Sequence, residues 1–175
     1  MNTILRTILL TACAVIVSGI GNVTFAATAT SNMAVSANVS GDCTIAANPL
    51  GFGSYDPVTT NSSSGSDAIT TTNLFVTCTA DSTATITLGQ GINPASGSSD
   101  DAPLRRMANG SGAFINYSLY QDEGLSTTWG NSPATGEPYE GTGSTTSVTV
   151  FGDATKGQSV PAGAYNDTVV ATITF

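Results

Sequence analysis

The sequence predicts an all-β protein, a sandwich of about six or seven short strands. Three observations lead there. Charged residues make up only 9% of the 175 positions, and Gly alone contributes 19. Helix formers such as Glu, Lys and Leu are scarce, and beyond the first 26 residues no stretch sustains apolar spacing at three and four. Short runs alternate apolar and polar residues and are broken by Gly, Asn, Pro and Asp. That period of two is the pattern of a strand with one face buried.

The first stretch, MNTILRTILLTACAVIVSGIGNVTFA, carries one basic residue, Arg6, then an apolar run from Ile8 to Ile20. Thr24 and Ala26 supply small residues before a cut after Ala26, so residues 1–26 read as a secretory signal peptide. The run is about 13 residues, short of the roughly 20 that span a bilayer, which argues against an anchor. Leu10-Thr11-Ala12-Cys13 has the look of a lipobox, but the apolar run continues past the cysteine, the wrong order for a lipoprotein.

Residues 27–39 carry Ala27, Ala29, Met33, Val35, Ala37 and Val39 on odd positions and mostly Thr, Ser and Asn on even ones, and are expected to be a long strand. CTIAANPLGFGSYDP follows, offering Ile45, Leu50, Phe52 and Tyr55 to the core. Residues 59–68 are a polar loop. TNLFVTC turns Leu74, Val76 and Cys78 inward, and TATITL turns Ala84, Ile86 and Leu88 inward. Residues 89–103 read as a long surface loop. FINYSLYQD puts Ile115, Tyr117 and Leu119 on one face. Residues 121–143, which include Trp129, read as irregular. SVTVFG supplies Val148 and Val150. After Pro161-Ala162-Gly163 a last strand runs from Thr168 to Phe175, with Val169, Ala171, Ile173 and Phe175 on one face. It ends with the sequence, with no following strand to cover its edge.

Cys43 and Cys78 are the two cysteines left after signal removal, and in an exported chain they suggest one disulfide, worth about 3–4 kcal/mol by loop closure. Arg105, Arg106 and Lys156 stand against 12 acidic residues. That balance argues against nucleic acid or anionic lipid as partner. The chain has no histidine, hence no usual general base and no commonest metal ligand. No G-x-S-x-G elbow, Ser-x-x-Lys pair or phosphate loop occurs. Asp100-Asp101 and Asp122-Glu123 lack the spacing of a calcium loop and read as solvated loops. No enzyme, cofactor or metal site is expected.

Five stretches, taken in order, carry a resemblance: Leu50–Pro57 (LGFGSYDP), Phe75–Thr79 (FVTCT), Tyr117–Asp122 (YSLYQD) with Thr128-Trp129-Gly130, Val148–Gly152 (VTVFG) and Pro161–Val169 (PAGAYNDTV). Together they resemble the spore coat protein U domain family, which includes Csu-type subunits of archaic chaperone–usher pili. The resemblance covers essentially all of the chain after residue 26.

It implies an immunoglobulin-like sandwich lacking its final strand, completed by a donor strand from another subunit. Residues 27–39 would be the donor, with Met33, Val35, Ala37 and Val39 facing inward, and residues 40–175 the pilin-like domain. Val169, Ala171, Ile173 and Phe175 would form the acceptor edge, which a periplasmic chaperone holds first. The implied partners are that chaperone, an outer-membrane usher and identical or related subunits. The implied role is a surface fimbria that supports attachment and biofilm formation. The family's disulfide pairing fits Cys43 and Cys78. Tyr165 would be a tyrosine corner, flanked by Gly163 and Asp167. The alternatives are a secreted spore or cyst coat protein, a tip adhesin, and a self-contained sugar-binding sandwich with Trp129 and Tyr139 as a stacking platform.

Overall fold

The computed structural model describes residues 25–175, so the signal-peptide expectation lies almost wholly outside the described residues. Two compact units divide the chain, Met1–Ala37 and Asn38–Phe175. In the first, residues 25–37 belong to no strand and every one is exposed. The strand expected over 27–39 is therefore not formed: alternation shows that one face of a segment favours burial, and a ladder also needs a neighbour.

The second unit is all-β, with no helix among the described residues. Its strands are β1 (Cys43–Ala47), β2 (Ala68–Cys78), β3 (Thr83–Leu88), β4 (Arg105–Ala108), β5 (Phe114–Tyr120), β6 (Glu137–Glu140), β7 (Thr146–Ala154) and β8 (Ala171–Thr174). One sheet has the order β1-β2-β7-β5-β4 and the other β6-β3-β8, all pairings antiparallel. Eight strands replace the expected six or seven, because β4 and β6 arise where no alternation marks them.

The core lies between the sheets. Leu74, Val76 and Cys78 of β2, Ile86 and Leu88 of β3, Ile115, Tyr117 and Leu119 of β5 and Val150 of β7 are all buried. Each set sits at every second position, so the period-two reading places them correctly. The disulfide Cys43–Cys78 joins β1 to β2 at a registered pair.

After β1 the chain leaves its ladder, and Leu50 and Phe52 lie over β7. Gly152 makes this possible: a Cβ there would sit 3.0 Å from Leu50 and 3.2 Å from Phe52. Phe52 meets Tyr117 edge-on, with ring centroids 5.8 Å apart. The Tyr55 hydroxyl donates to the Thr155 carbonyl (2.7 Å) and accepts from Gln158 N (3.2 Å), which fixes the end of this segment.

One end of the core is closed by residues 121–136. Trp129 is completely buried, and its indole N–H donates to the Ile86 carbonyl at 2.8 Å. The stretch read as irregular is thus an ordered cover. Asp122 holds its turn by accepting from Thr127 N (2.7 Å) and from Ser126, which keeps its carboxyl below the usual range. Asp100 likewise accepts from Asn131 and Gln90 (2.9 Å each), which lowers its pKa.

Candidate functional site

β8 is an edge strand. It pairs with β3 through Leu88↔Ala171, Ile86↔Ile173 and their neighbours, and with no other strand among the described residues. Half of its backbone N–H and C=O groups therefore point away from β3 toward no ladder partner. β1 approaches β8 from the other sheet without pairing. Val169, Ala171 and Ile173 turn inward and pack on the core, while Phe175 is 58% exposed. The strand is shorter than the expected Thr168–Phe175, although the Val170 carbonyl still accepts from Gly89 N at 2.8 Å.

Beside this edge the two sheets are not filled. A cavity of about 280 Å³ is floored by core residues such as Leu74, Leu119 and Val150. Its rims are Ala47–Leu50 on one side and Tyr165–Asp167, Val169 and Ala171 on the other. A second, wider cavity of about 750 Å³ continues it along residues 50–58 and 160–166. Leu50, Phe52, Met107, Tyr165 and Asn166 line both, so the two make one groove, which borders β8 in its first part at Val169 and Ala171.

The rim that carries β8 is held by polar ties. The Tyr165 hydroxyl donates to the Pro161 carbonyl (2.8 Å), bridging the bend that contains Gly163. Asn166 and Ala108 exchange two backbone bonds of 2.9 Å, which fastens this rim to β4. Asp167 accepts from Ile92 N (2.9 Å), from the Asn93 amide (3.2 Å) and from the Tyr117 hydroxyl (2.7 Å). Gly91 has φ 81°, and a Cβ there would collide with the Asp167 carboxylate.

Arg105, 1% exposed, donates to the carbonyls of Gly89 (2.8 Å), Leu88 (2.7 Å) and Trp129 (2.8 Å). Burial pushes the Arg105 pKa down to about 10, against the favourable field of Tyr117 and Asp167. Burial, then the bond to Asp167, pushes the Tyr117 phenol well above its usual range.

The structure brings Cys43 and Cys78 together and places Tyr165, Gly163 and Asp167 on one rim with Val169 and Ala171, while Ile173 packs against the core. Met33, Val35 and Val39 are 84%, 82% and 79% exposed, and Ala37 is exposed as well. Trp129 and Tyr139 form no stacking platform: Trp129 is buried, and half-buried Tyr139 bonds the Thr146 hydroxyl at 2.6 Å. The sequence shows Arg105 only as one of the few basic residues; it is the pairing of β4 with β5, which sets Arg105 opposite Tyr117, that turns it inward. Among the described residues no cluster of His, Cys, Asp or Glu could hold a metal, and no helix is long and apolar enough to cross a membrane.

Comparison with known proteins gives three findings. The family described as Spore Coat Protein U domain matches residues 29–172. "Protein U" of Myxococcus xanthus is 50% identical over 155 residues, covering 86% of this chain and 87% of its own. Among solved structures, the CsuC–CsuE chaperone–tip adhesion subunit pre-assembly complex from archaic chaperone-usher Csu pili of Acinetobacter baumannii contains a chain of similar fold. Its TM-score is 0.55 at 17% identity, covering 78% of this chain and 40% of that one.

Proposed function

The chain belongs to the Spore Coat Protein U domain family, and from that premise we propose that it is a structural subunit of a chaperone–usher surface fimbria, polymerised by donor-strand exchange. Its N-terminal segment fills the groove of a neighbouring copy, adding a strand to the free edge of β8. A periplasmic chaperone holds that edge until an outer-membrane usher passes the subunit to the growing fibre. Export to the cell surface, attachment and biofilm formation follow from this role. It performs no catalysis.

One observation carries the reading. β8 has one strand neighbour among the described residues, and the groove beside it is unfilled. The alternating segment 27–39, meanwhile, lies in no ladder. An uncovered edge of this kind is an aggregation hazard unless a strand is supplied. Inward Met33, Val35 and Val39 would each contribute up to about 1.5–3 kcal/mol on burial, against roughly 1–2 kcal/mol per residue for ordering the segment, so close fit to the groove is required.

The test uses the two faces of the donor, because alternation decides which is buried. Val35→Asp places an unpaired charge in the groove and is expected to abolish polymerisation. Ser36→Asp faces outward and is expected to polymerise nearly as the parent does. Sedimentation and negative-stain microscopy read both. Equal assembly of the two variants sinks the donor assignment. A second reading, a coat rather than a fibre, is favoured by the Spore Coat Protein U domain description of the family that matches residues 29–172. Microscopy of the native assembly separates them, showing filaments in one case and a layer in the other.

A further inference from the structure

Beyond residue 24 the chain has two methionines, Met33 and Met107, and they fall on the two halves of the proposed joint. Met33 stands on the N-terminal segment with 84% of its surface exposed. Met107, half-buried on β4, lines both cavities of the groove.

We propose that Met33 is a modification site through which hydrogen peroxide controls the entry of a subunit into the assembly, and that Met107 is shielded from the same oxidant when the groove is filled. The proposal rests on the donor-strand reading. The thioether sulfur attacks one oxygen of hydrogen peroxide. A sulfur–oxygen bond forms and the oxygen–oxygen bond breaks. Sulfur gives up two electrons, and the departing hydroxide takes the proton from the transferred oxygen and leaves as water. The product is methionine sulfoxide.

A thioether suits such a joint in its reduced form. It is unbranched and polarizable, and it fills irregular apolar space. The sulfoxide is polar, and burying its oxygen without a donor is unfavourable. The floor of the groove has little to offer it. Leu50, Phe52, Leu74, Leu119 and Val150 are apolar, the hydroxyls of Tyr117, Tyr165 and Thr72 already donate to Asp167, Pro161 and Pro49, and the amides of Asn48 and Asn166 stand on the rims. An oxidised free subunit is therefore refused, whereas Met33 already seated in a neighbour is out of reach. Growth stops under oxidant, and the existing assembly persists.

The experiment exposes the mature chain to hydrogen peroxide, once as free subunit and once assembled, and reads oxygen uptake at each methionine by peptide mass spectrometry. Polymerisation of treated subunits is then followed by light scattering, beside a Met33→Leu chain. Met33 is expected to oxidise in the free subunit and to be protected about tenfold or more in the assembly. Treated parent subunits should polymerise about tenfold more slowly or worse. Treated Met33→Leu subunits should polymerise faster than treated parent subunits, and a chain that also carries Met107→Leu should polymerise at the untreated rate. Equal oxidation of Met33 in both forms overturns the proposal, as does a Met33→Leu chain that is as sensitive to peroxide as the parent. Met107 should be protected in the assembly too, and equal oxidation in both forms removes its part. The donor reading fails separately, if the untreated chain assembles equally well without residues 27–36.

Discussion

The two ends of this sandwich's core are made from the same kind of strand and finished in opposite ways. At the Trp129 end, residues 121–136 fold over the sheets and tie them together: the indole N–H donates to Ile86, and Nε and Nη2 of Arg105 donate to three carbonyls. At the Met107 end, the inward side chains of β2, β5 and β7 face open space between Ala47–Phe52 and Tyr165–Ala171. β8 contributes inward residues to that open end but no further strand beyond itself. The difference teaches that the groove is not a weakness of the core's composition. Leu74, Leu119 and Val150 are buried core residues, and they line the cavity as well. What is lacking there is one strand's worth of side chains.

The largest contrast comes from removing the cover. Trp129→Ala empties a fully buried site and leaves the Ile86 carbonyl without its donor. The expected loss is about 3–5 kcal/mol of unfolding free energy, read by denaturant titration. A loss below about 1 kcal/mol would mean that this end is no better sealed than the other.

The same substitution on the two ends should differ in sign. Ala84→Leu inserts extra carbon into a buried position away from the groove and should destabilise by about 1–3 kcal/mol. Ala171→Leu projects into the unfilled cavity and should stabilise the isolated subunit by about 1 kcal/mol, while slowing its polymerisation. If both variants lose stability alike, the open end is already packed to native density, and the contrast fails.

How much of this was legible follows from what alternation can report. β2, β3, β5 and β7 were readable because each places apolar residues at every second position against a full neighbour. The disulfide was readable from the two cysteines that remain beyond the expected signal peptide. β4 was not, because its sequence is RRMA: Arg105 turns a cation inward, kept there by the carbonyls of Leu88 at the end of β3 and of Gly89 and Trp129 in loops. β6 was not, because EPYE is four residues with a proline, at the outer edge of the smaller sheet. Residues 27–39 alternate as clearly as any strand yet lie outside every ladder. Alternation says that a face favours burial; it cannot say which chain provides the partner. The alternation of the last strand was visible too, while the free side of its edge and the ties that hold its rim, Asp167 above all, needed three dimensions.

The smallest expected effect lies where the two ends meet, at Tyr117, which lines the groove and bonds the rim through Asp167. Tyr117→Phe leaves Asp167 its bonds to Ile92 and Asn93, so the loss near neutral pH should be about 1 kcal/mol. The pH dependence is more informative. Burial, then the Asp167 bond, raises the folded pKa of Tyr117 above its unfolded value. The stability this contributes is fully present below about pH 10 and is lost above it, by up to about 1.4 kcal/mol per pH unit, as the unfolded chain releases a proton that the folded chain keeps. Arg105 acts in the opposite sense. Its folded pKa is pushed down to about 10, so the folded state sheds that proton first and gains stability as pH rises beyond it. The parent's profile sums the two, whereas the phenylalanine variant retains only the arginine's part. The parent's advantage should therefore shrink and reverse between about pH 9 and pH 11.5 in paired denaturant titrations. A gap that stays constant across that range would mean that Tyr117 is reached by solvent through the groove, and that the open end penetrates further toward the Arg105 side than its lining indicates.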